Sequence, residues 1–199
     1  MQDKNKTLTI NTEFNIQIKD NFLNKKDYER VAHEAANINF NPRSLGLGDD
    51  PRHVWFTEPA SQEVKDILKK NVSNYFKVEI TNLRVCHYTF VFKSPTQAEV
   101  HSDFDEGNDF QVILYIQGNS SVHSGTGFYI EVPATKDKDK DFVLNTHVGF
   151  KENRIVSWTP NVYHAPLSFD DQFKPRISLI AQFTLKEKIY NAGWTNNNN

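Results

Sequence analysis

What most constrains this chain is the stretch that begins at residue 78. From there to residue 185 the apolar residues no longer recur at helical spacing. The sequence breaks instead into short runs rich in β-branched and aromatic residues: VEITNLRVCHYTFVF, QVILYIQ, GFYIEV, DFVLNTHVGF, NRIVSW and RISLIAQFTL. Turn-forming groups separate the runs, among them Ser94-Pro95, Gly118-Asn119 and Thr159-Pro160-Asn161. Ahead of them the pattern is helical. Asn24 can cap a helix whose stripe is Tyr28, Val31, Ala32 and Ala35, and Ser61 can cap a second carrying Val64, Ile67, Leu68 and Tyr75. Phe14, Ile16 and Ile18 alternate with polar neighbours and predict an opening strand. Two helices followed by about eight short strands define an α+β domain. A sandwich or jelly roll is the simplest β part, because that many strands in one open sheet would leave long bare edges.

The 199 residues suit one domain. We expect a flexible polar N-terminus over 1–13, the domain over 14–188, and an Asn-rich tail over 189–199. Residues 39–60 carry Pro and Gly without periodicity and are expected to form a long loop, a candidate lid. KDKDKD at 136–141 is expected to be a solvated charged loop. The net charge of −2 provides no overall footprint for a nucleic-acid backbone. The lone cysteine, Cys86, excludes an intrachain disulfide and a cysteine-based zinc site, and fits a reducing, cytoplasmic setting. The N-terminal residues lack the apolar core of a signal peptide, and no run of about 18 apolar residues predicts a membrane helix.

The residues with chemistry cluster late. In His101-Ser102-Asp103, positions i and i+2 of a strand would point the imidazole and the carboxylate to one side. His164 follows in WTPNVYHAP, and Arg176-Ile177-Ser178 repeats the i, i+2 device with a guanidinium and a hydroxyl. Two histidines and one carboxylate can occupy one face of a ferrous ion and leave positions open. A guanidinium fork nearby suits the far carboxylate of a bound dicarboxylate.

The order of these pieces resembles the 2-oxoglutarate- and iron(II)-dependent oxygenases, and within them the prolyl-4-hydroxylase-like branch. The resemblance runs over roughly residues 14–185. It rests on IKDNFLNKKDYERV, LRVCHYTF, HSDFD, FQVILYIQ, GTGFYI, NRIVSWTPNVYHAP and KPRISLIAQF. It implies a double-stranded β-helix, a jelly-roll or cupin-like core with the N-terminal helices packed on it. It implies iron held by His101, Asp103 and His164, and 2-oxoglutarate held by Arg176 with help from Ser178 and Tyr88. Dioxygen completes the cofactor set, with ascorbate as an open addition. The implied reaction is hydroxylation of a C–H bond, on a protein or peptide side chain, with release of succinate and CO2. One departure is Arg176, where many prolyl hydroxylases have lysine; it bears on prolyl substrates and leaves the co-substrate unaffected.

Alternatives stay open at this stage: a cupin-like metal binder without turnover, or an oxygenase acting on a small molecule or nucleobase. His123 and His147 lack an acid two residues away. His33 and His53 are read as surface residues, His87 as packing, and Tyr115 and Trp158 primarily as core. Oligomeric state is not legible.

Overall fold

The computed structural model describes residues 8–10, 16–38, 54–94, 100–104, 107–133, 140–167, 169–170 and 175–186. The elements run β1 (Leu8–Ile10), β2 (Ile16–Lys19), α1 (Lys25–Asn37), β3 (Val54–Pro59), α2 (Gln62–Phe76), β4 (Ile80–Ser94) and β5 (Phe110–Gln117). They continue with β6 (Ser121–Pro133), β7 (Lys140–Phe150), β8 (Arg154–Trp158), β9 (Tyr163–Pro166), β10 (Phe169–Asp170) and β11 (Arg176–Leu185). Among the described residues, no helix is long and apolar enough to cross a membrane.

Both helices start where a side-chain oxygen can take up an orphan backbone N–H. Asn24 accepts from the Asp27 N–H at 3.0 Å, and Ser61 from the Val64 N–H at 3.3 Å. Helix α2 buries Val64, Leu68, Val72 and Phe76, four apart along one face. Fully burying such side chains contributes about 1.5–3 kcal/mol each. Helix α1 adds Val31 and Ala35.

The strands form two sheets. The larger has eight strands in the order β1-β2-β8-β5-β11-β4-β10, with β3 also paired to β4; the smaller is β7-β6-β9. Every pairing is antiparallel. The arrangement is a jelly roll, a double-stranded β-helix with two helices packed on its larger sheet.

Strand pleating divides the interior in two. On β11, Ile177, Leu179, Ala181 and Phe183 join Val112 and Leu114 of β5 and the helix residues in one core. A second core fills the space between the sheets around Ile16, Tyr115, Phe128, Val148, Phe150, Val156, Trp158 and Val162. The cavity described below opens on this inner face.

Two stretches depart from the sequence expectations. Leu8–Ile10, within the stretch expected to be loose, pairs with β2. Val54–Pro59, within the expected loop, is strand β3, paired with β4 from Val54↔Lys93 to Pro59↔His87. Its run VWFTEP is short and ends in proline, so the neighbouring Gly and Pro hid it; an edge position tolerates that proline. Residues 39–53, 136–139 and 189–199 lie outside the described residues, and so do most of the expected lid and tail.

Candidate active site

One cavity of about 550 Å³ lies between the sheets. Its walls come from alternate residues of the large sheet: Val85, His87, Thr89 and Val91 on β4; Gln111, Ile113 and Tyr115 on β5; Arg176, Ser178, Ile180 and Gln182 on β11. Cross-strand partners share a face, and the register pairs Arg176 with Val91, Ser178 with Thr89 and Tyr115, and Ile180 with His87 and Ile113.

At one place in this cavity His101, Asp103 and His164 converge. One ligand atom from each lies within 4.8 Å of the others. His101 Nε2 is 3.8 Å from Asp103 Oδ1, and His164 Nε2 is 3.5 Å from Asp103 Oδ2. Donors bound at roughly 2.1 Å around one ion sit about 3 Å apart, so a small inward movement would close the set. The backbone holds it. His101 and His164 exchange both backbone hydrogen bonds, N–H to O at 3.1 and 2.8 Å, as a directly opposed antiparallel pair does. The Asp103 N–H donates to the Pro160 carbonyl at 3.0 Å.

His101-Ser102-Asp103 therefore converges without lying on a regular strand, since only His101 makes a bridge. His164 stands on β9, a strand too short to announce itself in WTPNVYHAP. Its Nδ1 lies 3.0 Å from the Val162 carbonyl. A proton on Nδ1 donated to that carbonyl leaves the Nε2 lone pair facing Asp103, the tautomer a ligand needs. Burial, and then the neighbouring His101, lowers the His164 pKa to about 4, which keeps the imidazole neutral. His101 is half exposed, so the cluster sits at the rim of the cavity. His123 and His147 are both exposed and stand outside this group.

Along the same cavity, Arg176 and Ser178 are each 5% exposed. Arg176 reaches toward the Gly125 carbonyl, with Nη1 at 3.5 Å, and its guanidinium lies 5.9 Å from the Phe150 ring centre. Burial, the dominant influence, lowers its pKa and so works against its charge. A guanidinium held in an apolar wall is a ready partner for a carboxylate.

Tyr88 is a correction. It is fully buried on the opposite face, among the helices, and its hydroxyl donates to the Val31 carbonyl at 3.3 Å. Its partner on β11 is Leu179, a core residue, whereas His87 faces the cavity. Tyr115, not Tyr88, lines the cavity. Opposite Ser178, it shares a 2.9 Å hydrogen bond with Thr126 and donates to the Val148 carbonyl at 3.4 Å. It also stacks on Phe150 at 4.6 Å. The register Ser178↔Tyr115 places it there, and the sequence alone does not give that register. Trp158 likewise lines the cavity, its ring 4.9 Å from that of His164.

The jelly roll thus brings two histidines and a carboxylate that could hold a metal ion to the cavity rim, with a buried guanidinium within. Its fold is shared with solved structures of 2-oxoglutarate-dependent oxygenases. A prolyl hydroxylase from Trichoplax adhaerens, in complex with a hypoxia inducible factor oxygen degradation domain peptide fragment, superposes with a TM-score of 0.53 at 14% identity, covering 85% of this chain and 83% of that one. An oxidoreductase of the 2OG-Fe(II) oxygenase family from Burkholderia pseudomallei has a TM-score of 0.55 at 12% identity, with 85% of each chain covered. HygX from Streptomyces hygroscopicus, with nickel, 2-oxoglutarate and hygromycin B bound, has a TM-score of 0.55 at 9% identity, covering 85% and 82%. No protein-family model matches the sequence, and no curated protein matches it.

Proposed function

We propose that this chain is an Fe(II)- and 2-oxoglutarate-dependent dioxygenase that hydroxylates a C–H bond of a protein or peptide side chain, releasing succinate and CO2. The observation that carries the reading is one cavity holding both the His101-Asp103-His164 cluster and buried Arg176. A plain metal binder has no use for a guanidinium in an apolar wall.

The residues fit the cofactors. The donor set is two imidazoles and one carboxylate, suited to a ferrous ion with open positions. Thr89 Oγ1, beside Ser178 in the register, is buried without a hydrogen-bond partner among the described residues, so the wall can accommodate a polar ligand atom. When bound, iron with 2-oxoglutarate and dioxygen would supply the oxidising chemistry that side chains lack. The chain's own residues bind and orient. His101, Asp103 and His164 hold the metal. Arg176 and Ser178 grip the far carboxylate of the co-substrate, and the Tyr115 hydroxyl stands opposite Ser178. Val85, Val91, Ile113 and Ile180 exclude water.

The test is anaerobic titration of 2-oxoglutarate into the Fe(II) protein, followed by a succinate-release assay over a peptide library. Saturable 2-oxoglutarate binding and peptide-dependent succinate release are expected. Iron binding without 2-oxoglutarate binding would reduce the protein to a metal-binding jelly roll.

A further inference from the structure

Two buried donors on residues that line the cavity have no partner among the described residues: Gln111 Nε2 and Trp158 Nε1. Gln111 is 1% exposed and Trp158 is 4% exposed. They are direct cross-strand partners of β5 and β8, so their side chains stand side by side on the inner face. Asn108 Nδ2 donates to Gln111 Oε1 at 3.5 Å, which orients the amide with its NH2 group turned away. Trp158 lies against His164. This end of the cavity is six residues along β11 from Arg176, with Gln182 opposite Gln111, or roughly 20 Å at strand spacing. Gln111 thus stands at the far end of β11 from the proposed co-substrate grip at Arg176.

We infer that Gln111 and Trp158 form a substrate subsite that binds a neutral carbonyl oxygen, an amide above all, beside the metal cluster. The inference rests on the reading of this cavity as an oxygenase active site. The chemistry selects the group. Two N–H donors on neighbouring residues, both without a partner, call for an acceptor, and leaving buried donors without one is costly. Both donors are neutral, and Arg176 lies at the other end. In the metal-free protein a carboxylate buried here would lack an adjacent cation, whereas an amide carbonyl is satisfied by hydrogen bonds alone. The aliphatic walls at Val85, Ile113 and Ile180 suit an apolar body carrying that single carbonyl. The carbonyl could belong to a peptide backbone or to a small amide, and the two are separable by experiment.

The test is an NMR titration of the metal-free protein, following the Trp158 indole N–H and the Gln111 side-chain NH2 signals. The metal-free state keeps the outcome independent of iron and 2-oxoglutarate binding. The probes are 4-methylpentanamide, 4-methylpentanoate, 4-methylpentylamine and N-acetyl-leucine N-methylamide. We expect 4-methylpentanamide to shift both signals saturably, and the amine, which offers no acceptor oxygen, to leave them in place. Gln111→Glu keeps the Asn108 contact and removes the donor; Trp158→Phe keeps the ring and removes the N–H. Each should weaken 4-methylpentanamide about tenfold, the worth of one buried hydrogen bond. Tighter binding of the blocked leucine assigns the carbonyl to a peptide backbone; tighter binding of the simple amide assigns it to a small molecule; either upholds the subsite. Three results overturn it: carboxylate or amine shifting both signals as tightly as the amide does, both variants binding the amide like wild type, or both signals unmoved by every probe, as when the donors hold only an ordered water. If 2-oxoglutarate binds normally in that last case, the subsite fails while the oxygenase reading stands.

Discussion

Arg176→Ala is the sharpest probe of the proposed co-substrate grip. The guanidinium is 5% exposed in a wall whose neighbours are Tyr115, Phe150 and the Gly125 carbonyl. A carboxylate arriving there meets little competing water, and its charge must be matched by the protein. Removing one partner of such a hydrogen-bonded pair costs about 2–5 kcal/mol. At about 1.4 kcal/mol per factor of ten, 2-oxoglutarate affinity should fall from roughly 30-fold to several thousand-fold. Arg176→Lys should fall between the two, since the ammonium keeps the charge and loses the fork. Tyr115→Phe removes one hydroxyl and should cost about tenfold or less. Iron affinity should stay at the wild-type level in all three, because none of these side chains belongs to the His-Asp-His cluster. The assay is anaerobic 2-oxoglutarate titration of the Fe(II) protein, followed by the metal-to-ligand absorption band. If Arg176→Ala binds 2-oxoglutarate like wild type, the carboxylate does not sit against Arg176 and the reasoning fails.

Replacing His101, Asp103 or His164 by Ala should abolish tight Fe(II) binding while circular dichroism keeps its β signature; unchanged affinity in all three would remove the triad from the site. Gly125→Ala should destabilise by about 3 kcal/mol or more, since φ is +134° and a Cβ would lie 2.0 Å from the Val148 carbonyl oxygen. A urea midpoint equal to wild type would contradict that geometry. Asp20 bonds to Arg154 Nε at 2.6 Å and to Lys151 Nζ at 2.7 Å, and the Arg154 contact foremost holds its pKa near about 2 against an ordinary 3.8. A depressed carboxylate stabilises fully above its unfolded value, and the contribution disappears as pH falls from about 4 to about 2. Asp20→Asn should therefore cost on the order of 1 kcal/mol at pH 7, given its partial exposure, and only a small fraction of that at pH 2. An equal stability loss at both pH values would refute the linkage.

How far the sequence carried depends on which residue is asked. The helix caps Asn24 and Ser61 were legible because capping is local, satisfied within three residues. His101, Asp103 and His164 were legible because residue type and order carry metal chemistry even where the strand reading did not hold. Tyr88 was misjudged for a different reason. Alternation shows that His87 and Tyr88 face opposite ways, but which way is inward depends on the partner strand. Only the register Ile180↔His87 decides it. Tyr115 and Trp158 looked like core because the cavity is walled by core-like residues, and an apolar run looks alike whether it meets a helix or a hollow. Strands β1, β3 and β9 were hidden by length: a few residues hold too little periodicity to stand out, from polar neighbours at β1 and from flanking Pro at β3 and β9.

The pleat of β11 has an evolutionary corollary. Arg176, Ser178, Ile180 and Gln182 touch the cavity, while Ile177, Leu179, Ala181 and Phe183 touch the helix-packed core. Drift at the first set can retune what the cavity accepts while the second set goes on supporting the helices. Specificity and robustness are thus interleaved on one strand, yet they mutate almost independently. The arrangement is brittle in one respect only. Deleting a single residue from the middle of RISLIAQFTL would exchange the two sets beyond the break, moving guanidinium or amide into the core and aliphatic groups into the cavity. Lineages descending from such a protein should diversify by substitution along this strand and confine insertions and deletions to the connections between strands.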